Sequence, residues 1–250
     1  MVLTYHRITS DPSRYLYSVT RDQLDAHLAV VAELQQQIGP DRASSQVTFD
    51  DGHRSNYAYG LDLLAQYAVR ATFFVAAGWM GSREGFMSWP ELRELVAAGH
   101  EVQSHGWSHR VLRECSSSEL EDELVRSRRT IEDELQVPVV AISIPHGRWD
   151  DRVLRACAAA GYRRVYMSEP WMRTQRREGV ELIGRYMIRR SLQSAQLRRL
   201  LAGDRRFVFY LRSQHRLKEI LKHLVGSAAY HRLWSAVAAV SDADDPAALQ

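Results

Sequence analysis

Only two cysteines, Cys115 and Cys157, occur in 250 residues, too few for a disulfide framework. One lies in a Ser-rich turn and the other in an Ala-rich run, and they read as free thiols of a reducing compartment. No stretch reaches the ~18 uninterrupted apolar residues that a membrane span needs. Met1 to His6 lack the basic leader and apolar stretch of a signal peptide, so the expected location is cytoplasmic. No G-x-G-x-x-G follows the first strand-like run, which disfavours a dinucleotide-binding sheet. Neither sign of charge dominates: 33 Lys and Arg against 30 Asp and Glu leave +3. Bulk charge therefore forces no nucleic-acid or membrane partner.

The chain does have an ordinary soluble composition, 45% hydrophobic and 25% charged, ample for one large domain or a domain with an appendage. Strand-like runs rich in Val, Ile, Phe, Thr and Tyr occur at 2–6, 47–50, 71–76, 101–104, 139–144, 163–168 and 182–188. Helical patterns lie between them. Leu24, Leu28, Val31 and Leu34 share one face of 23–37, and Gly99 follows 89–98 where a helix would stop. Ser118 and Glu121 mark a capping-box start for a helix running to Leu135. This alternation predicts an α/β fold with a mostly parallel sheet, closed or nearly closed as a barrel, with an open doubly wound sheet as the competitor. Residues 191–250 read as a basic helical extension, with Leu217, Ile220, Leu221 and Leu224 striped opposite Arg216, Lys218 and Lys222.

Three clusters carry chemistry. Asp50, Asp51 and Gly52 follow a short apolar strand, at the end where parallel α/β proteins place their sites. Within a regular strand the two carboxylates would point to opposite faces; a turn eased by Gly52 lets both reach one cavity. His105 and His109, four apart after another strand, share a face where the segment makes a helical turn, so both rings can bind one metal. Pro145, His146 and Gly147 end a third strand and suggest a fixed loop at the same mouth.

The run Thr48-Phe49-Asp50-Asp51-Gly52, the strand Ala71-Thr72-Phe73-Phe74-Val75, and Gly99-His100-Glu101-Val102 leading to Ser104-His105-Gly106-Trp107-Ser108-His109 together resemble the polysaccharide deacetylases, carbohydrate esterase family four. The resemblance covers about residues 1–188 and extends to bacterial exopolysaccharide-associated members, whose start is similar to Tyr5-His6-Arg7. It implies a distorted (β/α)7 barrel over 1–190 and hydrolysis of acetyl groups, most readily N-acetyl, from a bacterial polysaccharide or its lipid-linked precursor. It further implies Asp50 as catalytic base and Asp51, His105 and His109 as ligands of a divalent metal. Zinc suits these ligands, and cobalt, manganese, nickel or iron also fit. His6, Pro145 and Trp79 are expected at the substrate cleft.

Two family features are missing. No Arg precedes Pro145 to orient the base, and no late Leu-x-x-His supplies the general acid; His146 is the substitute candidate for that acid. These gaps motivate an alternative, a noncatalytic glycan-binding protein that keeps the barrel and metal. The extension, basic through Arg198, Arg199, Arg205, Arg206, Arg212 and the residues beyond, suggests peripheral contact with the inner membrane face or a glycan-assembly machinery. No nucleic-acid motif accompanies the charge.

Overall fold

The computed structural model describes residues 1–38, 46–170 and 172–213. The helical stripe expected from Leu217 to Leu224 lies outside the described residues. In chain order the elements are β1 (Val2–Tyr5), β2 (Arg7–Thr9), β3 (Ser18–Thr20), α1 (Arg21–Ile38), β4 (Gln46–Phe49), α2 (Arg54–Gln66), β5 (Ala71–Val75), α3 (Trp89–Ala97), β6 (Glu101–Ser104), α4 (Ser117–Leu135), β7 (Ala141–Ser143), α5 (Asp151–Ala159), β8 (Arg164–Met167), β9 (Gln175–Arg177), β10 (Val180–Gly184), β11 (Tyr186–Met187) and α6 (Ser194–Leu201).

The main sheet runs β11-β1-β4-β5-β6-β7-β8-β10-β9. Its pairings are parallel apart from the antiparallel β9–β10 pair. The strands β10 and β11 stand far apart in that order yet form one stretch of chain, parted only by Arg185. The first half pairs with β8 and the second with β1, so this stretch closes the sheet. The ring has seven staves: β1, β4, β5, β6, β7, β8 and β10 with β11. The distorted (β/α)7 barrel therefore forms, and the open doubly wound alternative does not. The strand expected at 182–188 begins earlier, at Val180, and changes partner at Arg185. The small parallel pair β2–β3 was not expected; it lies just after β1 and before α1.

Alternation along the strands sorts the core into two layers. Leu3, Val47, Phe49, Phe73, Ile142 and Val165 belong to the large cluster shared with the helices. Phe74, Ala141 and Tyr166, one residue out of phase, form a separate cluster inside the ring. Thr4 and Thr48 take the same inward phase and share a hydrogen bond of 3.1 Å. Asp50, Ser143 and Arg185 continue that phase toward the C-terminal mouth, where the interior turns polar.

The helices follow their apolar faces. Leu24, Leu28 and Val31 of α1 are fully buried, each stabilising the fold by about 1.5–3 kcal/mol. Gly99, with φ of 86°, follows the α3 C-cap. The α4 cap is a correction: Ser116, not Ser118, caps the helix, with Glu119 completing the box. The described part of the extension is seated on α1. Leu197, Leu200 and Phe207 are buried, and Arg198 forms paired 2.6 Å contacts with Glu33. Arg199 pairs with Asp204, so part of the basic run is neutralised within the fold. No helix among the described residues is long and apolar enough to cross a membrane.

Candidate metal centre

At the end of β4 the chain turns sharply. Asp51 and Gly52 both take positive φ, 71° and 83°, a conformation that Asp tolerates better than most residues and Gly adopts freely. A Cβ on Gly52 would come within 2.8 Å of the Met80 side chain and 3.1 Å of Val75, so a side chain here would have to displace both. It swings Asp51 toward the mouth beside the inward-facing Asp50.

Asp51 meets both predicted histidines. Its Oδ1 lies 3.3 Å from His105 Nε2 and 3.3 Å from His109 Nε2, and the three side chains can offer ligand atoms lying within 4.8 Å of one another. The segment joining the histidines is a loop, not the helical turn expected. Gly106 and His109 both have positive φ, 79° and 62°, and bring the rings together with centroids 4.9 Å apart. His105 Nδ1 lies 2.8 Å from the Ser143 carbonyl. A carbonyl can only accept, so Nδ1 carries the proton and Nε2 presents a lone pair. Lone pairs facing a carboxylate oxygen repel unless a cation is shared between them, and the donor set fits a divalent metal with open positions.

A carboxylate from α4 holds this loop. Glu123, buried, accepts from the backbone N–H of Trp107 at 2.9 Å and of Ser108 at 3.0 Å, and from the Ser108 hydroxyl. Outside the loop, the Arg126 guanidinium lies 3.8 Å from the Trp107 ring centroid. Ser104 Oγ accepts from Gly106 N–H.

Asp50 is gripped from within the barrel. Arg185 donates from Nη1 to Oδ1 and from Nη2 to Oδ2, each at 2.7 Å, while Ser143 donates to Oδ2 at 3.0 Å. The guanidinium sits between Phe74 and Tyr166, 5.4 and 5.8 Å from their ring centroids. Burial pushes the Asp50 carboxyl up, but the charge of Arg185, helped by His105, outweighs it and holds the pKa below the usual range. For Asp51, burial is again overcome, here by the two imidazoles beside it, His105 and His109, and its pKa is held well below the usual range. Burial lowers the His105 pKa, yet Asp50 and Asp51 reverse the sign and raise it.

The remaining predicted residues surround this pair. His146 is exposed at the rim, with its ring 4.6 Å from that of His109 and Nε2 3.2 Å from the His109 carbonyl. Pro145 beneath it is buried and packs 3.6 Å from where a Gly106 Cβ would stand. Trp79 is only 7% exposed and backs His109, centroids 5.1 Å apart, as a wall of the metal site. His6 stacks on Tyr17 at 5.2 Å, and its buried Nδ1 has no partner among the described residues. Burial lowers its pKa, opposed by the nearby charges of Asp51 and Asp50.

A family model described as polysaccharide deacetylase matches residues 38–165. The chain belongs to the polysaccharide deacetylase family. A chitooligosaccharide deacetylase of Sinorhizobium fredii is 35% identical over 52% of this chain and 59% of its own length. A peptidoglycan-N-acetylglucosamine deacetylase of Bacillus cereus is 29% identical over 57% of this chain and 65% of its own. The chain thus spans about three fifths of the length of the curated relatives it matches. Among solved structures, a polysaccharide deacetylase from Bacillus cereus superposes with a TM-score of 0.70, at 23% identity, over 80% of this chain and 68% of that one. The Streptococcus pyogenes deacetylase PplD in complex with acetate gives 0.67, at 18% identity, over 78% and 94%. These likenesses establish the shared fold.

In this deacetylase-family chain the Arg absent before Pro145 is replaced by one from a different strand. Sequence reading missed Arg185. Its signal was a lone charge inside the apolar stretch Leu182-Ile183-Gly184-Arg185-Tyr186-Met187-Ile188, where a strand buried on both faces has no solvent for a guanidinium. Glu123 was missed because a Glu on an amphipathic helix looks like a solvated face. Arg148, the sequence neighbour of the third motif, instead pairs with Glu114.

Proposed function

We propose that the chain is a divalent-metal-dependent hydrolase that removes acetyl groups from an acetylated glycan. The observation that carries this reading is the pairing of Asp51, His105 and His109 with an unligated carboxylate, Asp50, that Arg185 keeps ionised beside them. A pure binding site has no use for the second carboxylate. When bound, a divalent cation at the triad supplies Lewis acidity, polarising the acetyl carbonyl and acidifying water.

The chain's own groups supply the proton traffic. Asp50, fixed by Arg185 and Ser143, takes the proton of the attacking water. His146, exposed beside His109, returns a proton to the departing amine nitrogen. His6 and Pro145 border the cleft, and Trp79 buttresses His109 where it meets the substrate side. Zinc is the metal that two imidazoles and a carboxylate suit best. The N-acetyl linkage is supported by relatives named for chitooligosaccharide and peptidoglycan-N-acetylglucosamine deacetylation. A cytoplasmic site of action at the inner membrane face, on a bacterial polysaccharide or its lipid-linked precursor, is supported by the free buried thiols Cys115 and Cys157 and the basic extension.

The test is acetate release from a panel of N- and O-acetylated glycans, with zinc or cobalt and with chelator. Metal-dependent release that disappears in Asp50→Asn, with metal still bound, is the expected outcome. Glycan binding without turnover, unchanged in Asp50→Asn, would establish the noncatalytic alternative instead.

A further inference from the structure

Beside the metal triad is a recess lined by His6, Arg7, Tyr15, Asp51, His53 and Phe86. Its volume is about 10 Å³, room for a single water-sized oxygen rather than a sugar ring. Its walls bring the ring nitrogens of His6 and His53 and one permanent cation, Arg7, to the same recess as Asp51. The Arg7 guanidinium lies 5.4 Å from the Tyr15 ring centroid, held at the lip by an aromatic face rather than by an acid. Several arginines of the surface are held by acids, among them Arg54 by Glu91, Arg93 by Glu134, Arg110 by Glu119 and Arg148 by Glu114. Among the described residues Arg7 forms no such pair.

The backbone explains why Arg7 points there. It begins β2, with only His6 between it and the end of β1, and β2 is fixed by its parallel register with β3, Arg7 opposite Ser18. Ser55 Oγ accepts from Ile8 N–H at 3.0 Å, tying the strand to the start of α2 directly after the Asp50–Asp51 turn. The lip is thus built rigidly against the metal-binding turn, and an unpaired guanidinium on a rigid lip is preorganised for an oxyanion.

We propose that Arg7 and this recess form a subsite for an anionic oxygen, a carboxylate or phosphate carried by the sugar unit at or next to the acetylated one. This rests on the deacetylase reading and deepens it: the substrate is an anionic glycan rather than a neutral one. The carboxylate and phosphate cases share the chemistry of charge-assisted, bidentate pairing with Arg.

Two measurements decide it. The first compares acetate release from length-matched acetylated oligosaccharides that are neutral, carboxylate-bearing or phosphate-bearing. We expect kcat/KM for one anionic series to exceed the neutral series by about tenfold, the size of one charge-assisted contact, and that ratio to fall near one in Arg7→Gln. The series that shows the preference names the anion. A ratio near one in the native chain, or one that persists in Arg7→Gln, overturns the subsite.

The second measurement does not need turnover. The zinc-loaded, ¹⁵N-labelled chain is titrated with inorganic phosphate, glucuronate and, as neutral control, glucose. Shifts at Arg7 and Ile8 with either anion, absent with glucose and lost in Arg7→Gln, are expected. Shifts that survive Arg7→Gln would place the anion elsewhere and overturn the proposal. If no substrate releases acetate, the deacetylase reading fails, and this titration alone still decides whether the anion subsite exists.

Discussion

Arg185 holds both oxygens of Asp50, at 2.7 Å each, with the two side chains 1% and 3% exposed. The partners lie 135 residues apart and meet because the last barrel strand changes neighbour at Arg185. A carboxylate bridged in this way is fixed in orientation and kept ionised, two properties a base beside a cation needs.

Replacing Arg185 by Met should therefore leave zinc bound but lower turnover by roughly 100-fold, the scale of losing one preorganised electrostatic contact. Asp50, then buried without its cation, should titrate higher, so the acid limb of the kcat/KM profile should move to higher pH. Breaking a buried pair costs about 3–5 kcal/mol, and thermal melts must confirm that the variant folds. Arg185→Lys restores charge without the fork and should recover only part of the loss. An unmoved acid limb in both folded variants would show that Arg185 does not control Asp50.

Removing a ligand should act differently. Asp51→Ala or His105→Ala takes away one of the three converging atoms and should sharply lower zinc content after dialysis, measured by atomic emission. Asp50→Asn should keep its zinc. Near-normal occupancy in either ligand variant would contradict the triad.

His146 can be tested through the leaving group. An amide needs a proton on nitrogen as it departs, whereas p-nitrophenolate leaves unaided. His146→Ala should slow release from an N-acetylated glycan by about 100-fold and change p-nitrophenyl acetate hydrolysis by only a few fold. Equal losses on both substrates would assign His146 to shaping the His109 loop through its contact with the His109 carbonyl.

The barrel and the triad were legible in the sequence because both depend on local signals: apolar runs at strand spacing, and acids and imidazoles placed directly after them. What sequence reading could not supply was long-range. Arg185 acts on Asp50 only through barrel closure, and Glu123 reaches Trp107 and Ser108 only because α4 packs across β6. Nor could spacing alone distinguish a helical turn from the loop that carries His105 and His109, since positive φ at Gly106 and His109 is settled by that packing. Trp79 was legible as an aromatic near the site but not as a buried one, because nothing in its neighbours says which face is covered.

A pH-dependent contribution to stability follows from the α4 cap. Glu119 accepts from Ser116 N–H at 2.8 Å and from Arg110 at 3.0 Å. The Ser116 backbone bond above all lowers its pKa from 4.5 to about 2. A folded-state pKa below the unfolded one stabilises fully above 4.5 and is lost as pH falls through about 2. Glu119→Gln, which keeps the cap shape, should flatten the melting temperature across that window relative to the native chain. An identical slope in both would mean that the cap bond is not formed by the carboxylate.

The Glu123 clamp gives the sharpest separation of positioning from mere stability. Two backbone donors and a hydroxyl from the residues between His105 and His109 converge on one buried carboxylate. A Cβ at Gly106 would stand 3.3 Å from that carboxylate, so the loop is seated directly against it. Glu123→Gln retains volume but halves the acceptor oxygens and removes the charge. The loop should then sample positions in which His105 and His109 no longer face Asp51 together. The zinc dissociation constant, measured by chelator competition, should rise by about 10–100-fold, as for other groups that orient metal ligands. The metal-free melting temperature should fall less than that of Glu123→Ala, which leaves all three donors without their acceptor. Native zinc affinity in a folded Glu123→Gln would show that the loop holds its shape without the clamp, and that Glu123 serves the barrel rather than the metal.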